Sequence, residues 1–134
     1  MTREELLSIP RRAQDIADEQ NRIEVMKAKL YSPRGLDTSD KVQSSGSQTA
    51  LADIVIDMEQ RLDTKRQELS KLREEAANLI YKADIDDDER VVLALRYTEI
   101  MTWHEITSAI HYSIATAYRI HRAALDKLFE EVEA

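Results

Sequence analysis

Apolar residues recur at spacings of three and four over most of this chain, the period of an amphipathic α-helix. A first run begins near Ser8 or Ile9 and continues to about Tyr31, with Ile9, Ala13, Ile16, Gln20, Ile23, Met26 and Leu30 on one stripe. Pro10 fits within the first turn of that helix, so Thr2 to Ser8 is expected to add one turn or to fray. The second run is longer. From Ala50 to Tyr81, residues Leu51, Val55, Met58, Leu62, Leu69, Leu72, Ala76 and Leu79 keep a heptad seam that Lys65 alone interrupts. Lys65 should lie at a register break or extend outward. The other faces of both runs carry charges of mixed sign, as solvated helices do. Residues 32–49 break every period; they hold both glycines, Pro33 and a cluster of Ser, and read as a linker. The first helix can fold back on the second, so residues 1–83 are predicted to form an antiparallel coiled-coil helical hairpin. Its remaining apolar face must find a partner, either the C-terminal motif or a second protomer, and a homodimer is predicted.

Residues 84–134 follow a different rhythm. Glu89 to Tyr97 reads as a short amphipathic helix with Val92, Leu93 and Leu95 as its apolar residues. Thr102 and Glu105 have the spacing of a capping box, which opens a second short helix ending near Ile110. His111-Tyr112 makes a turn, and His111 takes the place where many such turns need Gly at positive φ. Ser113 caps a longer helix through Ala117, Ile120, Ala124, Leu125 and Leu128, of which Ala117, Ile120, Ala124 and Leu128 face the core. A short helix, a tight turn and a longer helix make a helix-turn-helix, whose last helix enters a DNA major groove. The fold class predicted is all-α: the N-terminal hairpin, then a C-terminal helix-turn-helix domain over 84–134.

Composition agrees with the helices. Two Gly and two Pro in 134 residues leave few helix breakers. There is no Cys, hence no disulfide framework or thiol chemistry. No apolar run approaches the roughly 20 residues of a membrane span, and the first residues lack the apolar core of a signal peptide. A cytoplasmic protein that does not enter membranes is expected.

A net charge of −7 opposes nucleic-acid binding at face value. The acids, however, flank the motif as Asp86, Asp87, Asp88 and Glu89 before it and Glu130, Glu131 and Glu133 after it. Between Val91 and Leu125, Arg96, Arg119 and Arg122 stand against Glu99 and Glu105, a net of +1. Histidines add to this when protonated. So weak a basic surface calls for a dimer, or for a second anchor on a partner. No enzyme, metal or cofactor is expected. Ser44-Ser45-Gly46-Ser47 lacks the Lys and spacing of a P-loop. Asp84 to Asp88 lacks the spacing of a calcium loop and reads as a helix N-cap run. His104, His111 and His121 lack the spacing of zinc ligands. His104 is expected to be exposed, His121 to lie beside the DNA-facing surface and Trp103 to pack inside.

Counting from the Ser113 cap leaves Ile114, Ala115, Thr116, Tyr118, Arg119 and Arg122 free to face the groove. Tyr118 stands between groove contact and internal packing. Arg119 has the chemistry to read a guanine edge. Arg122, Ser113, Thr102 and Tyr112 suit phosphates, the last three lying at or next to helix N-termini.

A wider likeness rests on particular residues. Arg90, Leu93, Leu95, Arg96-Tyr97, Met101-Thr102-Trp103 and Glu105-Ile106 form its first half. Tyr112-Ser113, Tyr118-Arg119-Ile120-His121, Ala124-Leu125 and Lys127-Leu128 form its second. This pattern resembles region 4 of bacterial sigma-70-type factors, and more closely the small sigma-like transcriptional regulators of phages and prophages, the RinA/ArpU type. Ser32-Pro33-Arg34-Gly35 and the string from Asp40 to Gln48 resemble the linker of those regulators. The resemblance implies a phage-type regulator binding double-stranded DNA in the cytoplasm of a bacterial host, with RNA polymerase as a further partner. It also implies base-reading positions at Ile114, Ala115 and Arg119. The first two are usually polar or charged, and here suit a thymine methyl. A complete sigma factor is excluded, because no segment resembles the aromatic-rich helix that melts promoter DNA. A polymerase adaptor with little DNA affinity is one alternative. A small terminase subunit is another, although its DNA-binding part commonly comes first.

Overall fold

The computed structural model describes the backbone of residues 1–31 and 41–133 and the side chains of residues 1–30 and 49–130. Five helices follow one another: α1 (Arg3–Tyr31), α2 (Lys41–Lys82), α3 (Asp87–Tyr97), α4 (Trp103–Ile110) and α5 (Ile114–Glu133). No strand occurs among the described residues, and the fold is all-α. No helix there is long and apolar enough to cross a membrane.

Two boundaries differ from expectation. α1 starts at Arg3, well before Ser8, because Thr2 and Glu5 cap it reciprocally. The Glu5 amide donates to Thr2 Oγ1 at 3.1 Å and the Thr2 amide to Glu5 Oε1 at 2.9 Å. Pro10 therefore lies inside the helix, where its missing N–H removes one backbone bond. α2 starts at Lys41, so the expected linker over 32–49 is helical from 41 onward. An interior Gly such as Gly46 costs a helix about 1 kcal/mol, which a 42-residue helix absorbs. The rest of that expected linker, 32–40, lies outside the described residues.

By compactness the chain divides into Met1–Ala13 with Leu69–Ala134, and Gln14–Glu68. This division cuts both long helices. The first unit has a core of Leu6, Ile9, Ala76, Ile80, Leu93, Tyr97, Ala124, Leu125 and Phe129, with Leu69, Leu72 and Leu79 packed against it. The second buries Ile23, Val55 and Leu62, with Ile16, Met26 and Met58 beside them. The α2 seam therefore serves two cores. Lys65 is exposed near the division and Leu51 half-buried. In the second unit the polar pairs Gln20–Arg66 and Lys27–Glu59 rise along α1 as they fall along α2.

Three basic side chains fix the first unit. The Arg90 guanidinium donates to the Ile80, Tyr81 and Ala83 carbonyls, at 2.5, 2.8 and 3.0 Å. These are acceptors that the end of α2 would otherwise leave unpaired. Arg73 donates from two nitrogens to the Thr98 carbonyl, at 2.9 and 2.6 Å, where α3 ends. Lys127 on α5 reaches the buried Glu89 of α3 at 2.7 Å. Burial pushes the Glu89 carboxyl up, but the Lys127 ammonium and the Asp86 amide more than offset it, and its pKa lies below the ordinary value.

Candidate functional site

α3, α4 and α5 pack on one another through sharply turned connections. Between α3 and α4, Ile100 adopts φ 55°, a left-handed conformation that a β-branched residue enters only with strain. Nothing in the sequence marked it. Its carbonyl neighbours are held on both sides: Arg73 binds the Thr98 carbonyl, and Arg96 donates to that of Met101 at 2.9 Å. Thr102 then caps α4 in the reciprocal box. The Glu105 amide donates to Thr102 Oγ1 at 3.2 Å, and the Thr102 amide to Glu105 Oε1 at 3.0 Å. Those bonds hold the Glu105 carboxyl below its ordinary pKa.

α4 ends at His111, whose φ of 61° and ψ of 32° make the left-handed cap that the turn requires. α5 begins three residues later. The Ser113 hydroxyl accepts from the Thr116 amide at 3.2 Å and donates to Thr116 Oγ1 at 2.9 Å.

Along α5 the candidate residues separate. Ile114, Ala115, Tyr118, Arg119 and Arg122 are exposed. Ile114, Tyr118 and Arg122 are four apart and share one stripe, with Ala115 and Arg119 adjoining it. Arg119 and Arg122 make no hydrogen bond or ion pair among the described residues. Thr116 differs, being half-buried with its hydroxyl held by Ser113. Thr102, Tyr112 and Ser113 are exposed. The Tyr112 phenol donates to Asp88 Oδ2 at 3.1 Å, which pushes its pKa up. The seam candidates lie elsewhere: Val55, Met58 and Leu62 in the second core, Leu69, Leu72 and Leu79 against the first.

Two charges counted toward this face from sequence are spent inside. The half-buried Arg96 binds the Met101 carbonyl and lies over the Trp103 ring, 5.1 Å from its centroid. His121 does not lie on the outer face. Spacings of four, three and four through Ala117, His121, Ala124 and Leu128 put it on the core stripe, and that signal was readable in the sequence. Its Nε2 shares a 2.6 Å hydrogen bond with the Tyr97 hydroxyl. Burial, then the charges of Arg96 and Arg3, lower the His121 pKa to about 4, so it is neutral near pH 7. Burial likewise pushes the Tyr97 phenol up to about 12.

Trp103 packs edge-on against both Tyr118 and His121, at centroid distances of 4.9 and 4.8 Å. Tyr118 therefore resolves both ways: one side of its ring packs on Trp103 while about half of the residue stays exposed. His104 is exposed. Among the described residues no three of His, Cys, Asp or Glu converge as metal ligands would. The face thus offers two guanidinia, a phenol and the apolar side chains of Ile114 and Ala115.

The chain is an all-α protein whose last three helices present that face. The profile of the family described as a protein of unknown function (DUF1492) matches residues 29–129, and the chain belongs to that family. No curated protein and no solved structure matches it.

Proposed function

We propose that the chain is a sequence-specific, double-stranded-DNA-binding transcriptional regulator of the phage type, with α4, the His111 turn and α5 as its helix-turn-helix. The observation that carries this reading is the outer face of α5. Arg119 and Arg122 project there without a partner among the described residues, beside Ile114, Ala115 and Tyr118 and directly after a short helix and a tight left-handed turn. The sigma region 4-like residue pattern supports the same reading. Thr116 serves the α5 cap, so base reading rests on Ile114, Ala115, Tyr118 and Arg119. Arg122, Ser113, Tyr112 and Thr102 meet the backbone.

The two arginines should fail differently. Arg119→Ala is expected to cost about 1–3 kcal/mol on a preferred site and to flatten discrimination at one base pair. Arg122→Ala is expected to weaken binding to all duplexes and to lower the salt slope by about one. Affinity against salt concentration, on preferred and scrambled duplexes, separates them. Equal losses on both DNAs for both variants would remove Arg119 as a base reader. No change for either would remove α5 from DNA and favour an adaptor that contacts RNA polymerase.

α1 and α2 form the proposed antiparallel coiled-coil hairpin, which serves to pair two copies. The second unit fully buries only Ile23, Val55 and Leu62 among the described residues, while Val25, Ile54 and Ile56 are half exposed or more. A dimer would set two reading helices on half-sites roughly 34 Å apart. Light scattering at tens of micromolar, with and without DNA, should give twice the chain mass of 15.5 kDa. A strictly monomeric mass with DNA bound would overturn the dimer.

A further inference from the structure

We infer that Trp103 is a positioning residue for Tyr118, fixing the phenol on the outer face of α5 for contact with duplex DNA; this rests on the DNA-binding reading above. Tyr97 is fully buried, and its hydroxyl shares the 2.6 Å bond with His121. Their rings stack at a centroid distance of 5.7 Å and an interplanar angle of 26°. His121 meets the Trp103 ring at 80°, and Trp103 meets Tyr118 at 83°. The Arg96 guanidinium covers the indole, and the same guanidinium is anchored on the Met101 carbonyl. Four aromatic rings therefore form one series from the interior to the surface, each in contact with the next.

Edge-to-face packing orients a ring as well as burying it, because the positive edge of one meets the negative face of the other. An exposed tyrosine on a helix normally samples several rotamers, and binding must freeze them. Here Trp103 sets the Tyr118 ring in advance. Its stripe neighbours, Ile114 and Arg122, have no such support among the described residues. Tyr118 is thus the pre-oriented member of the face, and Trp103, although it lies on α4, contributes to recognition only through it.

Trp103 is the sole tryptophan of these 134 residues, so its fluorescence reads the contact directly. Tyr118→Ala is expected to shift indole emission to the red without DNA, as one face of the ring becomes wetted. Binding is then measured on a duplex that the wild-type chain enriches from a randomised pool. Tyr118→Ala and Trp103→Leu should each weaken it by roughly two- to tenfold, the span of one edge-to-face pair. The double variant should be no weaker than the worse single one. Trp103→Phe, which keeps an aromatic partner, should restore most of the affinity while Trp103→Leu does not. A merely structural indole would give losses that multiply with those of Tyr118→Ala, or a leucine that serves as well as phenylalanine; either overturns the inference. An unshifted emission in Tyr118→Ala overturns the contact itself. If the wild-type chain enriches no duplex, the DNA-binding reading is overturned and this inference with it, even where the emission shifts as expected.

Discussion

Leu62→Ala is expected to lower the stability of the second unit by about 2–5 kcal/mol, the cost of removing a fully buried leucine from a core. Leu62 is 2% exposed, and its fully buried neighbours are Ile23 and Val55 alone among the described residues. Ile16, Met26 and Met58, themselves partly buried, pack against them. Leu69→Ala should cost less, because Leu69 is half-buried at the rim of the other core. Lys65→Ala, on the same heptad series, should change stability by less than about 0.5 kcal/mol, since its side chain is exposed. Urea unfolding followed by far-UV circular dichroism gives all three values. If Leu62→Ala falls within about 0.5 kcal/mol of Lys65→Ala, the residues at Ile23, Val55 and Leu62 do not form a core.

The same series shows how far the sequence could be read. Periodicity found the α2 stripe, because burial on one helix face imposes that spacing. It could not find that the stripe changes partners near Lys65, since heptad positions look alike whichever core they enter. Ile80 shows the limit from the other side: it lies next to Leu79 off the heptad series, yet it is 2% exposed. Capping chemistry is legible in the sequence: Thr102 and Glu105 announce α4, and the same spacing at Thr2 and Glu5 marks the start of α1, which Pro10 alone places at Ser8 or Ile9. His111 as the left-handed cap followed from the shortness of the turn. Ile100 did not, because a β-branched residue at positive φ contradicts local preference and is held by the tertiary contacts of Arg73 and Arg96. The contact of Arg73 with Thr98 and that of Lys127 with Glu89 join residues distant in sequence. Long-range pairing of this kind leaves no periodic trace. For the outer face, counting from Ser113 separates exposed from buried positions except at Thr116, which is half-buried, and at His121, which helical spacing puts on the core stripe.

His121 also sets a pH dependence of opposite sense to that of a surface histidine in a basic motif. Its pKa is about 4 in the folded chain against 6.5 for the free side chain. As pH falls from 6.5 toward 4, the unfolded chain takes up a proton that the folded chain refuses. Stability therefore declines across that window and, for this group, levels off below it. The shift corresponds to roughly 3 kcal/mol at its limit, and partial solvent access reduces the expected loss to about 1–2 kcal/mol. The groups that oppose the imidazolium are the desolvating rings of Tyr97 and Trp103 and the charges of Arg96 and Arg3. Glu89 acts in the same direction at lower pH: its pKa is depressed, so its contribution is lost as pH falls below the ordinary carboxylate range. His121→Leu isolates the histidine, since it should remove the decline between pH 6.5 and 4 and leave the later one. Trp103 supplies a second readout within the folded state. An imidazolium 4.8 Å from an indole quenches its emission far more than neutral imidazole does. Emission should hold steady through pH 6 and fall with a midpoint near 4. A midpoint near 6.5 in the folded chain would show His121 to be solvated, and would break the Tyr97–His121–Trp103 contact at its centre.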